Sequence, residues 1–328
     1  WFISFCLFLV KMLDEISRFR SCYKYKRKGV IDLRYEGVVY RPPSEANSLI
    51  IQLTIGCARN TCTFCSMYMN KKFRVRSLEE VQEDLQMART YYRDTKVKRI
   101  FLADGDALIV PTKRLLKILE MIRTLFPEVE RISTYGAPRD ILVKRQKELE
   151  ELKAAGLDLI YMGIESGADE ILSDIQKGVN AAEMIQAGQS VKAAGIRLSV
   201  TLISGLGGKE NTVLHATKSA EVVSAICPDY VGVLTLMVEP ETPMAQKISA
   251  KQMIQLSPQE ILDELAIFIK NLDSKGTIFR SNHASNYVSF GGTLNQDREK
   301  ILMQIQQARE QETVSYTHLR AHETLRHL

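Results

Sequence analysis

The 328-residue chain lacks the features that mark several specialised protein classes. Its six cysteines are too few and too unevenly spaced for the disulfide framework of a secreted domain. Its 44 basic and 39 acidic side chains give a formal net charge of only +5, far from the dense basic stripe of a dedicated nucleic-acid binder. No Pro- or Ser-rich linker divides the chain, and the apolar fraction of 45% is ordinary for a globular protein. We therefore expect one domain with short flanking extensions.

The two ends of the chain differ from the rest. Residues 1–10 form an apolar run about half as long as a membrane-spanning helix, without the flanks of a signal peptide. Because the chain begins at Trp and Met12 opens an amphipathic pattern, we interpret residues 1–11 as translated non-coding sequence; a membrane-touching segment is the alternative. Residues 315–328 resemble a translated sequencing adapter and are excluded from fold reasoning.

Short apolar, β-branched runs alternate along the chain with helical patterns. The runs cover residues 48–54, 99–104, 131–137, 159–165, 196–204, 229–236 and 277–282. The helical patterns cover residues 77–92, 112–126, 143–156, 182–195, 211–226 and 257–272, and Ser77 and Ser257 are candidate N-caps. Strands that are apolar on both faces and alternate with helices predict parallel pairing and covered sheet faces.

This alternation predicts an α/β fold, a partial or complete (β/α) TIM-type barrel of parallel strands over residues 48–294. A Rossmann fold is the rival, but no strand is followed by G-x-G-x-x-G. Residues 1–47 are predicted as an N-terminal extension, 295–314 as a C-terminal helix and 315–328 as an artefactual tail.

Three cysteines, Cys57, Cys62 and Cys65, follow the first predicted strand as C-x4-C-x2-C. Thiolates ligate iron–sulfur clusters, and a cubane normally takes four. Three ligands leave one iron open to bind another group. A structural zinc site, an electron carrier with distant Cys227 as the fourth ligand, and unligated thiols are the alternatives. Clustered thiols without an export signal indicate a reducing compartment, so we expect a cytoplasmic protein with no membrane partner.

The cysteine loop, Phe64 before the third cysteine, and the later strand-end motifs resemble the radical S-adenosylmethionine (SAM) superfamily over about residues 48–240. The family's usual spacing is C-x3-C-x2-C, and this chain has one extra residue between Cys57 and Cys62. The resemblance implies an oxygen-sensitive [4Fe–4S] cluster on the three cysteines, with SAM chelated by the open iron. It also implies anaerobic chemistry and a reductant such as flavodoxin or ferredoxin.

The same resemblance assigns the SAM site to strand ends. The second strand ends in a motif for the SAM ammonium, the fourth in a carboxylate for the ribose hydroxyls, and the fifth and sixth in the adenine pocket. Arg139, after the third strand, is a candidate partner of the SAM carboxylate. Turns, helix caps, a solvated arginine and core packing are the ordinary alternatives at these positions. The implied cofactor residues are Phe64, Asp104, Gly105, Asp106, Arg139, Glu165, Ser166, Ile203, Gly205 and Met237.

The substrate is less defined. Residues 279–294 are dense in polar and aromatic groups, and a hydrogen-bonded structural loop is the alternative to a substrate site. The candidates to face a substrate are Arg280, Asn282, His283, Asn286 and Tyr287.

The resemblance implies reductive cleavage of SAM to a 5′-deoxyadenosyl radical that acts on an unidentified substrate. An enzyme of small molecules similar to the coproporphyrinogen branches is one form of this hypothesis. An enzyme that modifies RNA or protein, with residues 17–28 as an anion-binding arm, is less favoured. A non-catalytic iron–sulfur or zinc binding module is the alternative outside enzymology.

Overall fold

The computed structural model describes residues 33–310. The chain divides into two units, Trp1–Arg34 and Tyr35–Leu328, and every element named below belongs to the second. The predictions for residues 1–11, 17–28 and 315–328 lie outside the described residues. Within residues 33–310, no helix is long and apolar enough to cross a bilayer.

Strands and helices alternate along the described chain. The strands are β1 Leu49–Gln52, β2 Thr54–Ile55, β3 Arg74–Val75, β4 Arg99–Ala103, β5 Arg131–Tyr135, β6 Leu157–Glu165, β7 Arg197–Ser204, β8 Tyr230–Thr235, β9 Ile278–Arg280 and β10 Gly291–Thr293. The α-helices are α1 Leu78–Tyr91, α2 Thr112–Leu125, α3 Pro138–Leu142, α4 Gln146–Ala154, α5 Asp169–Asp174, α6 Ala181–Ala193, α7 Thr212–Ile226, α8 Pro243–Ser249, α9 Pro258–Asn271 and α10 Arg298–Glu310. Short 3-10 turns occur at Pro43–Glu45, Ala107–Ile109 and Lys209–Asn211.

One sheet organises the domain. Its strand order is β1-β4-β5-β6-β7-β8-β9-β10, and all neighbours are parallel except β9 and β10. Strands β2 and β3 form a separate antiparallel pair. In the described chain β1 and β10 stay at opposite edges of the sheet, so the barrel is open. The α/β barrel prediction is confirmed in its partial form.

The helices begin where local chemistry satisfies their free N–H groups. The Ser77 side chain accepts from the Glu80 amide while the Glu80 carboxylate accepts from the Ser77 amide, a capping box at the start of α1. Ser257 and Glu260 repeat this arrangement at α9. One helix start differs from the prediction. The helix expected at 143–156 begins at Gln146, because Arg145 is extended and acts as the N-cap residue.

The two faces of the sheet differ in what covers them. Leu202 and Val233 face a small cavity that is also lined by Ala216 and Phe268 from helices α7 and α9, so this face lies under the helices. Along β7 and β8 the buried residues alternate with half-exposed ones, such as Thr201. Because side chains alternate between faces, the half-exposed positions lie on the opposite, concave face.

The first half of the concave face is filled. An aromatic and aliphatic cluster covers β1, β4, β5 and β6, and its members are Ile50, Phe101, Ala103, Leu159 and Tyr161, with Val39, Tyr135 and Tyr230 packed against them. Next to this cluster lies Glu45, which is fully buried and accepts a hydrogen bond from Tyr161. The more accessible part of the concave face is therefore formed by β7, β8 and β9.

Candidate functional site

The three cysteines lie in the loop that joins β2 to β3, at the carboxyl edge of the parallel sheet. Two backbone hydrogen bonds at Thr63 hold the middle of this loop. The Thr63 amide donates to the Ile175 carbonyl at 3.0 Å, and the Thr63 carbonyl accepts from the Met244 amide at 3.0 Å. The loop is thus tied to the segments after β6 and β8, where the expected SAM residues lie.

Each cysteine is half-buried and free of disulfide bonds. Burial raises the pKa of Cys57 and Cys62, and it raises that of Cys65 to about 11. Backbone amides of Asn60 and Arg59 donate to the Cys57 sulfur and oppose this effect, as the Met67 amide does at Cys65. Hydrogen bonds to sulfur are among the interactions that tune iron–sulfur clusters, so the donor set fits a cluster.

Glu165 and Lys177 form a half-buried ion pair beside the cysteines. Lys177 Nζ donates to Glu165 Oε1 at 2.8 Å. Burial alone would lower the pKa of Lys177, but the negative charges of the Glu165 carboxylate and of the Cys62 and Cys57 sulfurs in their thiolate form outweigh it and raise the pKa. The lysine is therefore a cation close to both cysteines. A cation in this position is suited to stabilise the negative charge of ligating thiolates.

Gly163 provides the space for this ion pair. A Cβ atom at Gly163 would lie 2.1 Å from Glu165 Oε1 and 3.1 Å from Lys177 Nζ. The absence of a side chain therefore lets both charged groups lie across the concave face of β6.

Asp104 anchors the start of the cysteine loop. Its fully buried carboxylate accepts from the Gly56 amide at 3.0 Å and from Lys71 Nζ at 2.8 Å, both at Oδ2. The other oxygen, Oδ1, has no hydrogen-bond partner in the described part of the chain. The structure thus places Asp104 against both ends of the loop, and its expected contact with the SAM ammonium stays a prediction.

Gly105 allows the loop to pack closely on the end of β4. A Cβ atom at this position would lie 2.6 Å from Cε2 of the Tyr68 ring. Tyr68 is buried, and Lys71 Nζ lies 5.5 Å from its ring centroid. Any larger residue at Gly105 would displace Tyr68 and the loop with it.

Asp106 and Asp140 form a buried carboxyl pair below the same edge. Burial raises the pKa of Asp106 far above its ordinary value, and a hydrogen bond and charge repulsion from Asp140 add to this effect. The Ala137 amide opposes the shift by donating to Asp106. Two carboxylates this close cannot both ionise easily, so the pair retains a proton at neutral pH.

This pair predicts a pH dependence of stability. Because the folded-state pKa of Asp106 lies above its unfolded value, ionisation disfavours the folded state and stability falls as pH rises. Asp106→Asn removes the titrating group and keeps its shape. We expect the free energy of unfolding of the iron-free variant to fall less than that of the wild type between about pH 5.5 and pH 8, at up to ~1.4 kcal/mol per pH unit. Urea unfolding at both pH values measures this. Asp94→Asn, at an exposed site, is the control, and identical pH slopes for Asp106→Asn and the wild type would contradict the assignment.

Ser166 is directed toward α7. It is fully buried, its hydroxyl lies 2.8 Å from His215 Nδ1, and it accepts from the Ala168 amide. His215 Nε2 lies 3.0 Å from the Ile203 carbonyl, which can only accept. Nε2 therefore donates to this carbonyl, and in the tautomer with its single proton on Nε2 the Nδ1 atom accepts from Ser166. The Ser166 hydroxyl is thus hydrogen-bonded within the protein, to His215 and to the Ala168 amide. Its expected contact with SAM stays a prediction.

The backbone at Gly205 is hydrogen-bonded to Glu264 of helix α9. Gly205 has a φ of +83°, which a residue with a side chain rarely adopts. Its amide donates to Glu264 Oε1 at 2.7 Å, and Ser204 Oγ donates to the same oxygen at 2.6 Å. Glu264 and His215 also line a cavity of about 20 Å³, with room for one water molecule. These bonds fix the strand end that is expected to contact adenine.

The other expected SAM residues lie at the same edge with fewer contacts. Phe64 and Ile203 are half-buried, Ile203 on the concave face. Arg139, in the first turn of α3, and Met237, after β8, are exposed. Their roles toward SAM stay predictions.

The segment after β9 lies beside the end of β8. Ser285 Oγ accepts from the Thr235 amide at 3.1 Å. The Asn286 amide group donates to the Val233 carbonyl at 2.7 Å and accepts from the Thr235 hydroxyl at 2.9 Å. The structural-loop interpretation therefore accounts for Asn286, because its side chain holds the strand end.

The remaining candidates in this segment have different surroundings. His283 Nδ1 accepts from the Ser285 hydroxyl and amide, and burial lowers the pKa of His283, so the ring is neutral with its proton on Nε2. Asn282 and Arg280 are exposed, and Tyr287 is half-buried. Their contacts with a substrate stay predictions.

Several residues of this site carried no recognisable signal in the sequence. Lys177, Lys71, Tyr68, His215 and Glu264 lie in ordinary helical or loop patterns. Only the residues that they bond to or lie close to, such as Asp104, Glu165 and Ser166, were candidates. A lysine or histidine near a strand end would have been the only signal for these residues. Such residues are too common in a sequence to identify particular members of the site.

No fourth cysteine is near the loop within residues 33–310. Cys227 ends α7 and precedes β8, so it lies at the amino edge of the sheet, about 20 Å away along a six-residue strand. Cys6 and Cys22 lie outside the described residues. The described residues also contain no group of three His, Cys, Asp or Glu side chains that could hold one metal ion. That finding concerns ligands that share one ion, as in a zinc site, whereas in a cubane each cysteine ligates a different iron.

Comparison with known families gives a match to the model of the Radical SAM superfamily over residues 51–217. These residues include the cysteine loop and extend from β1 into α7.

Individual relatives are distant. The chain is 28% identical to the hopanoid C-3 methylase of Methylococcus capsulatus, over 58% of this chain and 33% of the relative. It is 22% identical to the heme chaperone HemW of Bacillus subtilis, over 60% of this chain and 51% of the relative. The chain thus spans about a third of the first protein and about half of the second. A solved structure described as the radical SAM enzyme coproporphyrinogen III oxidase of Escherichia coli superposes with a TM-score of 0.54 at 18% identity, over 68% of this chain and 52% of that one. That likeness supports the fold.

Proposed function

This chain belongs to the radical SAM superfamily, and from that premise we propose that it is an enzyme that cleaves SAM reductively at a [4Fe–4S] cluster. When bound, the cluster and SAM would supply a 5′-deoxyadenosyl radical that abstracts hydrogen from a substrate. The observation that carries this proposal is the set of three free cysteines on one anchored loop at the carboxyl edge of an open parallel barrel. Active sites of such barrels lie at this edge.

The residues that would hold the cluster are Cys57, Cys62 and Cys65. Amides of the loop donate to two of their sulfurs, and Lys177 places a cation near Cys57 and Cys62. Both features favour anionic thiolates and oppose the effect of burial. Electron transfer to the cluster would require a small redox protein such as flavodoxin or ferredoxin.

The residues that would bind SAM follow strands at the carboxyl edge of the sheet, which also carries the cysteine loop. Backbone carbonyls near Asp104, Gly105 and Asp106 would accept from the SAM ammonium, and the buried Asp104 carboxylate suits its positive charge. Glu165 would face the ribose hydroxyls, and Arg139 the SAM carboxylate. The backbone between Ile203 and Gly205, with Met237, would border the adenine.

We place the protein in a reducing, oxygen-poor cytoplasm, because a solvent-accessible cluster with an open iron is sensitive to oxygen. The substrate class favoured here is a small molecule, since the net charge of +5 is far from that of a dedicated nucleic-acid binder. An RNA or a protein substrate is the alternative outcome.

Anaerobic reconstitution tests the proposal. Protein loaded with iron and sulfide is mixed with dithionite and SAM, and 5′-deoxyadenosine and methionine are quantified. We expect both products in equal amounts, dependent on dithionite and on iron. A reconstituted, iron-replete protein that forms no 5′-deoxyadenosine would instead favour the binding-module alternative.

A further inference from the structure

A row of small residues crosses the concave face and ends at one arginine. The strand registers pair Gly163 with Thr201, Thr201 with Gly232, and Gly232 with Arg280. Gly291 of β10 pairs with Arg280 from the other side. Because directly paired residues project to the same face, the row forms a shallow floor. Three strand spacings make it about 14 Å long from Gly163 to Arg280.

The Gly163 end of this floor is close to the cysteine loop. Glu165 and Lys177 lie directly over Gly163 and are bonded to each other at 2.8 Å. The charge of Lys177 acts on Cys57 and Cys62. A molecule lying on the floor would thus have one end near the proposed cluster and the other near Arg280.

The middle of the floor is open. A Cβ atom at Gly232 would meet nothing closer than the Val200 carbonyl oxygen at 3.9 Å. Thr201, its neighbour on β7, is half-exposed. The floor therefore offers space and one hydroxyl between its two charged ends.

Arg280 is held in place but keeps binding capacity. Its Nη1 donates to the Phe279 carbonyl at 2.8 Å, and its side chain crosses Gly291, where a Cβ atom would lie 3.0 Å from Nη1 and 3.2 Å from Cδ. Arg280 is exposed, and no carboxylate of the described chain lies within ion-pair distance. The guanidinium has five N–H donors, so one backbone contact leaves most of them available.

The charges on this face favour an anionic ligand. The charge of Glu165 is neutralised by Lys177, and the charge of Arg131, at the amino end of β5, is neutralised by Glu45. Arg197, at the start of β7 on the same face, has no acidic partner among residues 33–310. The concave face of β5 to β9 is therefore net positive.

We propose that Arg280 binds an oxyanion of the substrate, a carboxylate or a phosphate, and that Thr201 and Gly232 form the open floor on which the rest of the substrate lies, with the Glu165–Lys177 pair over Gly163 at its other end. A guanidinium matches both oxyanions through paired N–H donors. This inference rests on the proposed function, since it assigns the other end of the same substrate to the cluster.

Equilibrium binding to the reconstituted holoenzyme, saturated with SAM, tests this assignment with three probes. Hexanoate represents a carboxylate, inorganic phosphate represents a phosphate, and hexanamide is the neutral match of hexanoate. We expect the wild type to bind one of the two anions at least tenfold more tightly than hexanamide, and the preferred anion identifies the oxyanion. Arg280→Gln should weaken that binding at least tenfold, and Arg280→Lys should weaken it less.

Two further variants keep the test independent of folding defects. Gly291→Ala displaces the arginine without removing it and should also weaken anion binding, whereas Arg93→Gln, at an exposed ion pair, should bind as the wild type does. Equal anion binding by Arg280→Gln and the wild type, or no preference of the wild type for either anion over hexanamide, would overturn the assignment. Failure of the proposed function is a separate result, because it would appear as absence of SAM cleavage in the wild type.

Discussion

Replacing Cys62 by alanine is expected to abolish formation of 5′-deoxyadenosine and to leave the polypeptide folded. Cys62 is half-buried at the centre of the anchored loop, and two ligands would remain for a cluster that needs three. Even substitutions beside metal ligands cost about 10–100-fold, so loss of a ligand should reduce SAM cleavage at least ~100-fold. Product analysis after anaerobic reconstitution, with iron quantified in the same sample, measures both effects.

Cys227→Ala is the matched control for this variant. Cys227 is also half-buried and free, but it lies at the opposite edge of the sheet, where its sulfur lies 3.8 Å from the Lys275 carbonyl. We expect the Cys227→Ala variant to bind iron and cleave SAM as the wild type does. Retained cleavage in Cys62→Ala, or loss of iron in Cys227→Ala, would remove the assignment of the three ligands.

Replacing Glu45 by alanine should lower the free energy of unfolding by about 3–5 kcal/mol, because it removes a fully buried carboxylate and leaves the half-buried Arg131 without its counter-charge. Glu45 Oε1 accepts from Arg131 at 2.8 Å, from Ser133 at 2.9 Å and from the Tyr161 hydroxyl at 2.6 Å, and Oε2 accepts from Ser48. The carboxylate thus joins the segment before β1 to β5 and β6. Urea unfolding of the iron-free protein measures the loss.

Glu130→Ala provides the comparison for Glu45. Glu130 pairs with Lys98 at 2.9 Å, but both side chains are more than half exposed, so solvent screens the interaction. We expect no measurable change in stability for this variant. Equal unfolding midpoints for Glu45→Ala and Glu130→Ala would show that the buried network contributes nothing to the fold.

Much of the fold could be predicted because its strands are short, mostly apolar runs, and those of the first half, such as β1 and β4, are buried on both faces. All seven apolar runs are strands of the main sheet, and parallel pairing follows from the helices between them. Strands β3 and β10 were missed. Arg74–Val75 is only two residues long, and Gly291–Thr293 is glycine-rich, so neither has the β-branched pattern of a strand. Both form only by antiparallel pairing with a neighbour.

The site was only partly predictable because a sequence pattern gives the position of a residue along the chain but not the direction of its side chain. Strand ends identified the segments that contain Asp104 and Glu165, since parallel strands end at one edge. The sequence could not indicate that Ser166, one residue after Glu165, is directed toward His215, or that Asn286 is bonded to the end of β8. Nor could it indicate Lys177, because its pairing with Glu165 depends on the space at Gly163 and a turn after α5.

The chain has a formal net charge of +5, and its concave face is also positively charged. Most ion pairs of the described chain join surface groups and contribute little to stability. Arg280 differs because it lies at the end of an open floor and has no carboxylate partner among the described residues. A chain of nearly balanced overall charge can thus present a positive site to its substrate.

The most direct test of the cluster assignment is the electron paramagnetic resonance spectrum of the reconstituted, dithionite-reduced protein before and after addition of SAM. We predict the signal of a reduced [4Fe–4S] cluster, with about four iron atoms per chain, and a change in that signal on SAM binding because one iron lacks a protein ligand. A signal that saturating SAM leaves unchanged, or stoichiometric zinc in place of iron, would contradict the account.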